Sequence, residues 1–445
     1  MKICLGVIST SIATISACAQ PATQWTFELQ CRSSLNPNIP PFNLPPNSSL
    51  SSQSVALDDD GSVAIRVFLA SGVATEGIFF GSDGIGGLVH EVNSSEPVYT
   101  SGLGNRNGRL ALSYLLHPTL GAEVRSTNGT LLHSYPLGGP EGISGVSAIS
   151  IAGDGAIGYR GSFGSGQKNL IEEFIGGVRN ATQIANTFDG QYTFLFSPQI
   201  NDARQMVGKV LPASGGQAVM RWNPGSPPTL IASTAATYNS FVNSTALAQN
   251  GTVAFTGRRS ADSIWEVVRW DQGGTLTPVA QGGDMGIING SLANFPPVVN
   301  SQGLVAFRPS DAQSTALYAG DGLGLVKLVE YGQPIETDIG TLTFGFDFGG
   351  GTGKQVMNGN IAINDAGQIA FAAFFNNGTI GVFVATPVVE CAADYNGDGD
   401  VNFFDVQAFL SDFSMQNLTA DLNEDGEWNF FDVQIFLQSF SDGCD

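Results

Sequence analysis

Charge is scarce in this 445-residue sequence: Asp, Glu, Lys and Arg together make up 13% of it, about half the ~25% of an ordinary globular chain. Basic residues are scarcest, 18 against 39 Asp and Glu, for a formal net charge of −21. Phosphate backbones would be repelled, so nucleic-acid binding is excluded as a leading function. Histidine is limited to His90, His117 and His133, none in a metal-binding spacing such as H-x-x-x-H. The nucleophile-elbow motif G-x-S-x-G is absent. Beyond the N-terminus no run reaches the 18 or more apolar residues that a membrane span needs, so no transmembrane segment is expected. The Ala, Glu, Lys and Leu enrichment of a helical bundle or coiled coil is also missing. Glycine is what abounds, 57 residues of 445, with 42% hydrophobic residues. That composition excludes wholesale disorder and points to many short strands joined by tight turns.

The N-terminus is laid out for export. Met1-Lys2 precedes an apolar stretch from Ile3 to Ile15, and Ala17-Cys18-Ala19 forms a small-residue cleavage site. Residues 1–19 therefore read as a signal peptide removed before Gln20, giving a secreted protein. Ile15-Ser16-Ala17-Cys18 also fits a lipobox, which would lipidate Cys18 instead. After cleavage Cys31, Cys391 and Cys444 remain. The last two bracket the C-terminal segment, and export permits a disulfide between them. Cys31 has no evident partner.

One pattern recurs through the body: Asn or Asp, two residues, Gly, two residues, then Ala and an apolar residue. Copies begin at Asp58, Asn105, Ala152, Asn201, Ala248, Asn300 and Asn364; the third and fifth start on Ala, and the degenerate fourth has Arg204 in the glycine place. Their fourth positions fall at 61, 108, 155, 204, 251, 303 and 367, separated by 47, 47, 49, 47, 52 and 64 residues. Each copy reads as a short strand, an Asx-x-x-Gly turn, and an apolar strand such as Thr252-Val253-Ala254-Phe255. A third strand such as Val267-Val268-Arg269-Trp270 and a fourth such as Leu276 to Ala280 follow. Four strands per roughly 47 residues, seven times over, predict an all-β chain folded as a seven-bladed β-propeller over residues 54–387. An open solenoid or sandwich array is the competing architecture. The seventh copy lacks its fourth strand, and Trp25 to Leu29 could supply it and cover the open edge. Residues 20–53 are then that strand and a Pro/Ser-rich linker.

The body resembles secreted planctomycete-type proteins with tandem NxxGxxAF repeats, most clearly in Asn364-Asp-Ala-Gly-Gln-Ile-Ala-Phe371 and in the turn Gly332-Gln333-Pro334. That family implies no established catalytic activity. Glu172-Glu173, Glu266 and Asp271 are the carboxylates that could form an acid/base pair across a channel, and solvated strand-edge charges are the expected reading of each. Arg221-Trp222 and Arg269-Trp270, at equivalent places in adjacent copies, could stack on a ligand, but packing between blades is expected.

The acid is concentrated at the end of the chain. Between Val388 and Asp445 there are 13 Asp or Glu and no Lys or Arg. Asp394, Asn396, Asp398, Asp400, Asn402 and Asp405 place oxygens along a 12-residue loop, with Gly399 at the bend. Asp421, Asn423, Asp425, Glu427, Asn429 and Asp432 repeat the set 27 residues later around Gly426. Dense oxygen ligands at these spacings in a tight loop predict two Ca²⁺ ions. Each loop leads into a helix with an apolar stripe: Val406, Phe409, Leu410 and Phe413, then Val433, Phe436, Leu437 and Phe440.

A duplicated loop–helix with Asp at position 12 and no helix before the loop resembles a type I dockerin. Cys391 and Gly443-Cys444 are similar to the GC-type variant of planctomycete secreted proteins. The resemblance implies a cohesin-like or other surface receptor as partner for residues 388–445. It also implies partner-selecting positions at Phe403, Phe404, Phe430 and Phe431. Dockerins typically carry small polar residues there, so these phenylalanines either are core or face a different receptor. The expected function is a secreted, non-catalytic propeller, binding a carbohydrate or protein ligand or serving a structural role, displayed on a cell surface or extracellular scaffold. The alternatives are a dockerin-bearing glycoside hydrolase in polysaccharide breakdown and an adhesion or surface-layer component.

Overall fold

The computed structural model describes residues 22 and 24 to 442 apart from 35, 37, 53–54, 71–73, 94–99, 115–116, 139–141, 311–315, 350–352, 389–391, 397, 399 and 424–425. The signal-peptide residues, Cys18, Cys391, Cys444 and Asp425 therefore lie outside it. The chain divides into two compact units, Trp25–Pro387 and a second that holds Val388–Asp445.

The first unit is a seven-bladed β-propeller. Within the described residues its blades are antiparallel sheets built from residues 49–93, 100–136, 143–186, 192–233, 238–281, 298–330 and 362–387. Each blade begins on its innermost strand, and the seven inner strands touch their neighbours in an unbroken circle, the last against the first. Blade cores then form by strand alternation. Val63, Ile65 and Val67, for example, are wholly buried in a cluster that also holds Ala370, Ala372, Val382 and Val384 of the seventh blade.

The repeated turn joins the inner strand to the second. In five copies the fourth residue is a glycine whose N–H bonds the first residue's carbonyl, as in Gly61 to Asp58 (3.1 Å) and Gly367 to Asn364 (3.1 Å). Its φ is positive, +82° and +80° in these two, the region that favours glycine. The degenerate fourth copy places Arg204 there at φ +59°. The second copy departs differently, with a two-residue Asn107-Gly108 hairpin joining Thr100–Arg106 to Arg109–Tyr114.

Side chains of these turns tie each blade to the next. Gly108 N–H donates to Asp58 Oδ2 (3.0 Å), Asn107 Nδ2 to Gly153 O (3.0 Å) and Gly153 N–H to Asp202 Oδ1 (2.7 Å). Asn201 Nδ2 donates to Ala248 O (3.2 Å), Asn250 Nδ2 to Ser301 O (2.7 Å) and Ser301 N–H to Asp365 Oδ1 (2.8 Å). Asn364 Nδ2 to Asp58 O (3.0 Å) closes the circle. Asn201, Asn250 and Asn364 thus have two tasks, accepting an N–H of their own turn and bonding the neighbouring one.

The seventh blade takes its outer strand from the other end of the unit. Trp25–Ser33 pairs antiparallel with Ile380–Pro387, from Trp25 opposite Pro387 to Ser33 opposite Ile380, with a bulge at Gln30. The strand runs four residues beyond the Trp25–Leu29 expected from the sequence. The long 64-residue spacing before the last copy is filled by an inserted hairpin, Pro334–Thr337 with Gly340–Thr343. Its tip residue Asp338 takes the wholly buried Arg32 guanidinium in two bonds, 2.8 and 2.7 Å, and Pro40 O takes a third at 2.8 Å. The insertion therefore clasps the closing strand. Cys31, beside Arg32, is fully buried, and burial pushes its thiol far above the ordinary value, which makes it unreactive.

Removing one partner of a buried ion pair leaves the other charge uncompensated, at a cost of about 3–5 kcal/mol. Asp338→Ala is expected to destabilise the propeller by a free energy in that range, seen in calorimetry as a lowered melting temperature. Deleting residues 25–33 should go further and cause self-association by exposing the edge of Ile380–Pro387. A truncated protein that stays monomeric and as stable as its parent would show that the strand does not close the ring.

Candidate metal loops and the propeller axis

The second unit contains two near-copies of one loop–helix device. The helices are α1, Phe403–Met415, and α2, Phe430–Asp442. Asn402 caps α1 by accepting from Phe404 N–H (2.8 Å), and Asn429 accepts equally from Phe431 N–H (2.8 Å). Asp405 reaches back over its loop: Oδ1 accepts from Asn396 N–H (3.0 Å) and Oδ2 from Asn402 N–H (2.8 Å). Asp432 repeats this with Asn423 N–H (3.3 Å) and Asn429 N–H (2.8 Å). At the loop starts, Asp394 Oδ1 accepts from Asp398 N–H (3.0 Å) and Asp421 Oδ2 from Gly426 N–H (2.8 Å). The first and twelfth residues therefore draw the loop backbone around themselves.

Asp405 and Asp432 are both fully buried, although the segment from Val388 to Asp445 contains no basic side chain. Burial alone would raise the Asp405 carboxyl, but the N–H groups of Asn396 and Asn402 outweigh it and hold it below the ordinary carboxylate value. Asp421 is buried as well, Asp394 half-buried, and Asp398, Asp400 and Glu427 exposed. Among the described residues no three His, Cys, Asp or Glu side chains are gathered closely enough to hold an ion. The donor set itself fits a hard cation. It is all oxygen, and each buried carboxylate oxygen that accepts one N–H keeps a lone pair free.

The helices pack through a small core. Phe409 and Phe436 stack at 4.3 Å with rings 4° from parallel, joined by Ala420 and flanked by Tyr395, Phe413 and Phe440. The stripe read from the sequence is narrower in the structure: Leu410 and Leu437 face solvent. Phe403, Phe404, Phe430 and Phe431 are 71, 64, 70 and 60% exposed, which excludes the core reading and leaves a matched aromatic pair on the first turn of each helix.

In the propeller the candidate carboxylates are already engaged. The sequence expectation of solvated edge charges is corrected for Glu172 and Glu266, which are 0 and 3% exposed. Glu172 accepts from Tyr159 Oη and from Arg179 Nε (2.5 Å) and Nη2 (2.8 Å). Glu266 accepts from Tyr238 Oη (2.8 Å) and Arg259 Nη1 (3.0 Å). Burial, then the adjacent carboxylate, pushes both tyrosine hydroxyls up. Glu173 pairs with Arg204 at 3.0 Å and Asp271 with Arg269 at 3.1 Å. These carboxylates belong to the third and fifth blades. Arg221 lies over the Trp270 ring of the next blade at 5.2 Å, so the Arg–Trp positions do pack between blades. The three histidines have separate local partners, His133 stacking on Phe174 and His117 Nδ1 accepting from Leu120 N–H (2.8 Å).

The turns of blades one to four line a half-open cavity of about 290 Å³, with Asp58, Asp59, Asp60, Arg106, Asn107 and Asp202 around it. Arg106 bridges Asp59 (2.7 Å) and Asp202 (3.4 Å), from blades one and four. Burial works against its charge, yet the two carboxylates raise its pKa. The sequence analysis missed this bridge; its signal was the acidic residue recurring beside the first position of the motif.

The family model described as a family of unknown function (DUF7453) matches residues 46–390. No curated protein matches the chain. Solved structures that resemble it include YCF48 bound to a D1 peptide, at 10% identity and TM-score 0.46, covering 83% of this chain and 100% of that one. An oligogalacturonate lyase in complex with manganese has 10% identity and TM-score 0.48, covering 82% and 96%. A streptogramin B lyase has 11% identity and TM-score 0.44, covering 81% and 97%.

Truncating Asp405 would remove the acceptor of the part-buried Asn396 and Asn402 N–H groups, at about 0.5–1.5 kcal/mol for each bond lost. Asp405→Ala is therefore expected to lower the thermal midpoint of the module's helical circular-dichroism signal, and Asp432→Ala to do the same. A midpoint unmoved by both would show that these carboxylates do not organise the loops.

Proposed function

Because this chain belongs to the DUF7453 family, whose function is unknown, membership brings no activity with it, and we propose one from the chain's own residues. It is a secreted protein whose propeller is a non-catalytic binding or structural body, presented on a cell surface or extracellular scaffold by a calcium-dependent docking module over residues 388–445. The ligand class of the propeller in this reading is carbohydrate or protein, and the module's partner is a cohesin-like or other surface receptor.

The observation that carries the reading is the pair of buried carboxylates, Asp405 and Asp432, in a segment with no cation of its own. Backbone N–H groups already bind both carboxylates, but the segment's own residues offer them no opposite charge. Two Ca²⁺ ions would supply that charge. Asp394, Asn396, Asp398, Asp400 and Asp405 would hold the first, and Asp421, Asn423, Asp425, Glu427 and Asp432 the second. Asn402 and Asn429, committed to the helix caps, would act at position 9 through the loop geometry they fix. Neutralising the loops is what lets two short helices with so small a core hold together.

The exposed aromatic pairs fit the docking role. Four phenylalanines at equivalent positions of two equivalent helices make two like patches, and large aromatics are the residues that anchor interfaces. Full-length protein should gain helical signal on adding calcium and lose it in EDTA. It should be retained on envelopes of the producing cell with calcium and released by EDTA. Phe403→Ser with Phe430→Ser should abolish retention while leaving the calcium-induced signal intact. Retention that ignores calcium and both substitutions would overturn the proposal, as would a spectrum unchanged by EDTA.

A further inference from the structure

Strand register places one position of each blade at the same level, two residues beyond the residue that pairs with the inner strand. It holds Arg66, Ser113, Arg160, Lys209, Thr256, Arg308 and Ala372 in blade order. Four of the chain's 18 basic residues thus stand in one circle, about 17 Å along the strand from the Asx turns at ~3.4 Å per residue. Arg66 has a carboxylate, Glu76, at 2.7 Å. Among the described residues the other three have none. Arg160 donates to Leu195 O (3.2 Å), Lys209 to Phe241 O (2.8 Å) and Asn243 Oδ1 (3.0 Å), and Arg308 to Met357 O (3.5 Å). Each also lies over an aromatic ring, Phe194, Phe196 and Phe295 respectively. Burial alone shifts all three downward, Lys209 to about 8 and Arg308 to about 9.

The excess of positive charge meets unsatisfied donors at one place. Asn169 is directly opposite Arg160 on the neighbouring strand of blade three, on the same face. It is completely buried, and among the described residues neither its Nδ2 nor its Oδ1 has a hydrogen-bond partner; Arg160 Nε is likewise buried and unpartnered there. Across the interface, in blade four, stands Gly208, the residue before Lys209. A Cβ placed on it would come within 3.9 Å of Asn169 Nδ2 and 3.7 Å of Pro198 Cα. The missing side chain leaves room there for something the size of a methyl group.

We propose that a small monoanion of halide size binds between blades three and four, held by Arg160 Nε–H and Asn169 Nδ2–H, with Gly208 making the space. An anion answers both features at once, the uncompensated guanidinium and the orphaned donors, whereas a water answers only the second. An accompanying water supplies the donor that Asn169 Oδ1 lacks. The site is independent of the calcium loops, and its failure would leave the docking proposal untouched.

Melting of the full-length protein should be followed at fixed ionic strength while gluconate, too large for the site, is exchanged for chloride or bromide. A saturable rise in melting temperature is expected with either halide, and Arg160→Met should lose it. Asn169→Leu, which replaces the orphaned amide by an apolar side chain of similar volume, should fold and also lose the halide response. Crystals grown in bromide should show an anomalous peak within hydrogen-bonding reach of both nitrogens. A melting temperature indifferent to the anion, or a water without anomalous signal at that position, would overturn the proposal.

Discussion

The structure depends most on a side-chain-to-backbone hydrogen bond that leaves its own blade. A propeller blade has no sequence-local reason to stop at its neighbour, because its faces are apolar and nearly interchangeable. The bonds from Asn107, Asn201, Asn250 and Asn364 to the next turn supply direction, and they stand at the narrow radius where a small error in blade angle would be largest. Each is worth only about 0.5–1.5 kcal/mol net, but an unmade bond at a buried site costs more. The circle therefore penalises any blade number other than the one that brings Asn364 to Asp58.

Polar chemistry inside the propeller follows from the same geometry. Blades meet face to face, so any charged residue placed near the axis is buried between sheets and must find its partner there. Glu172 and Glu266 are met by a tyrosine and an arginine, and Arg106 is met by carboxylates from two blades. The cations at Arg160, Lys209 and Arg308 receive carbonyls and ring faces, which offer partial charge only. Charge was scarce in the sequence, and the buried charge of the propeller is paired within a blade, as at Glu172 and Glu266, or between blades, as at Arg106.

Much of this was legible beforehand. Glycine at a fixed place in six of seven evenly spaced copies carries a steric requirement, and the spacing of the copies carries the blade count. The missing last strand pointed to Trp25–Leu29 because an unpaired sheet edge is unstable. The clasp of Arg32 by Asp338 was not legible, since the two are far apart in sequence and the insertion has no repeat to align. The burial of Glu172 and Glu266 was hidden for a similar reason: their partners Tyr159 and Tyr238 lie on other strands, and alternation alone does not say which face a strand presents to a neighbouring blade. The exposure of Phe403, Phe404, Phe430 and Phe431 was open in the sequence because two adjacent aromatics at a helix start cannot both follow the stripe. The cation circle could have been found by aligning the seven copies two residues past the alanine.

The closing strand also sets the order of events in folding. Thr26 and Thr386 are bonded across 360 residues of chain. The segment synthesised near the start must wait, unpaired, until nearly the whole propeller has emerged and Ile380–Pro387 is in place. Closing so long a loop is entropically slow, and contacts of such separation delay completion of the native state. The earlier blades can form as local hairpins meanwhile, but the ring stays open, with one bare edge at blade seven and a free strand beside Cys31. The period in which that thiol can be oxidised or captured is thus the period before closure, and once the ring is shut its chemistry ends.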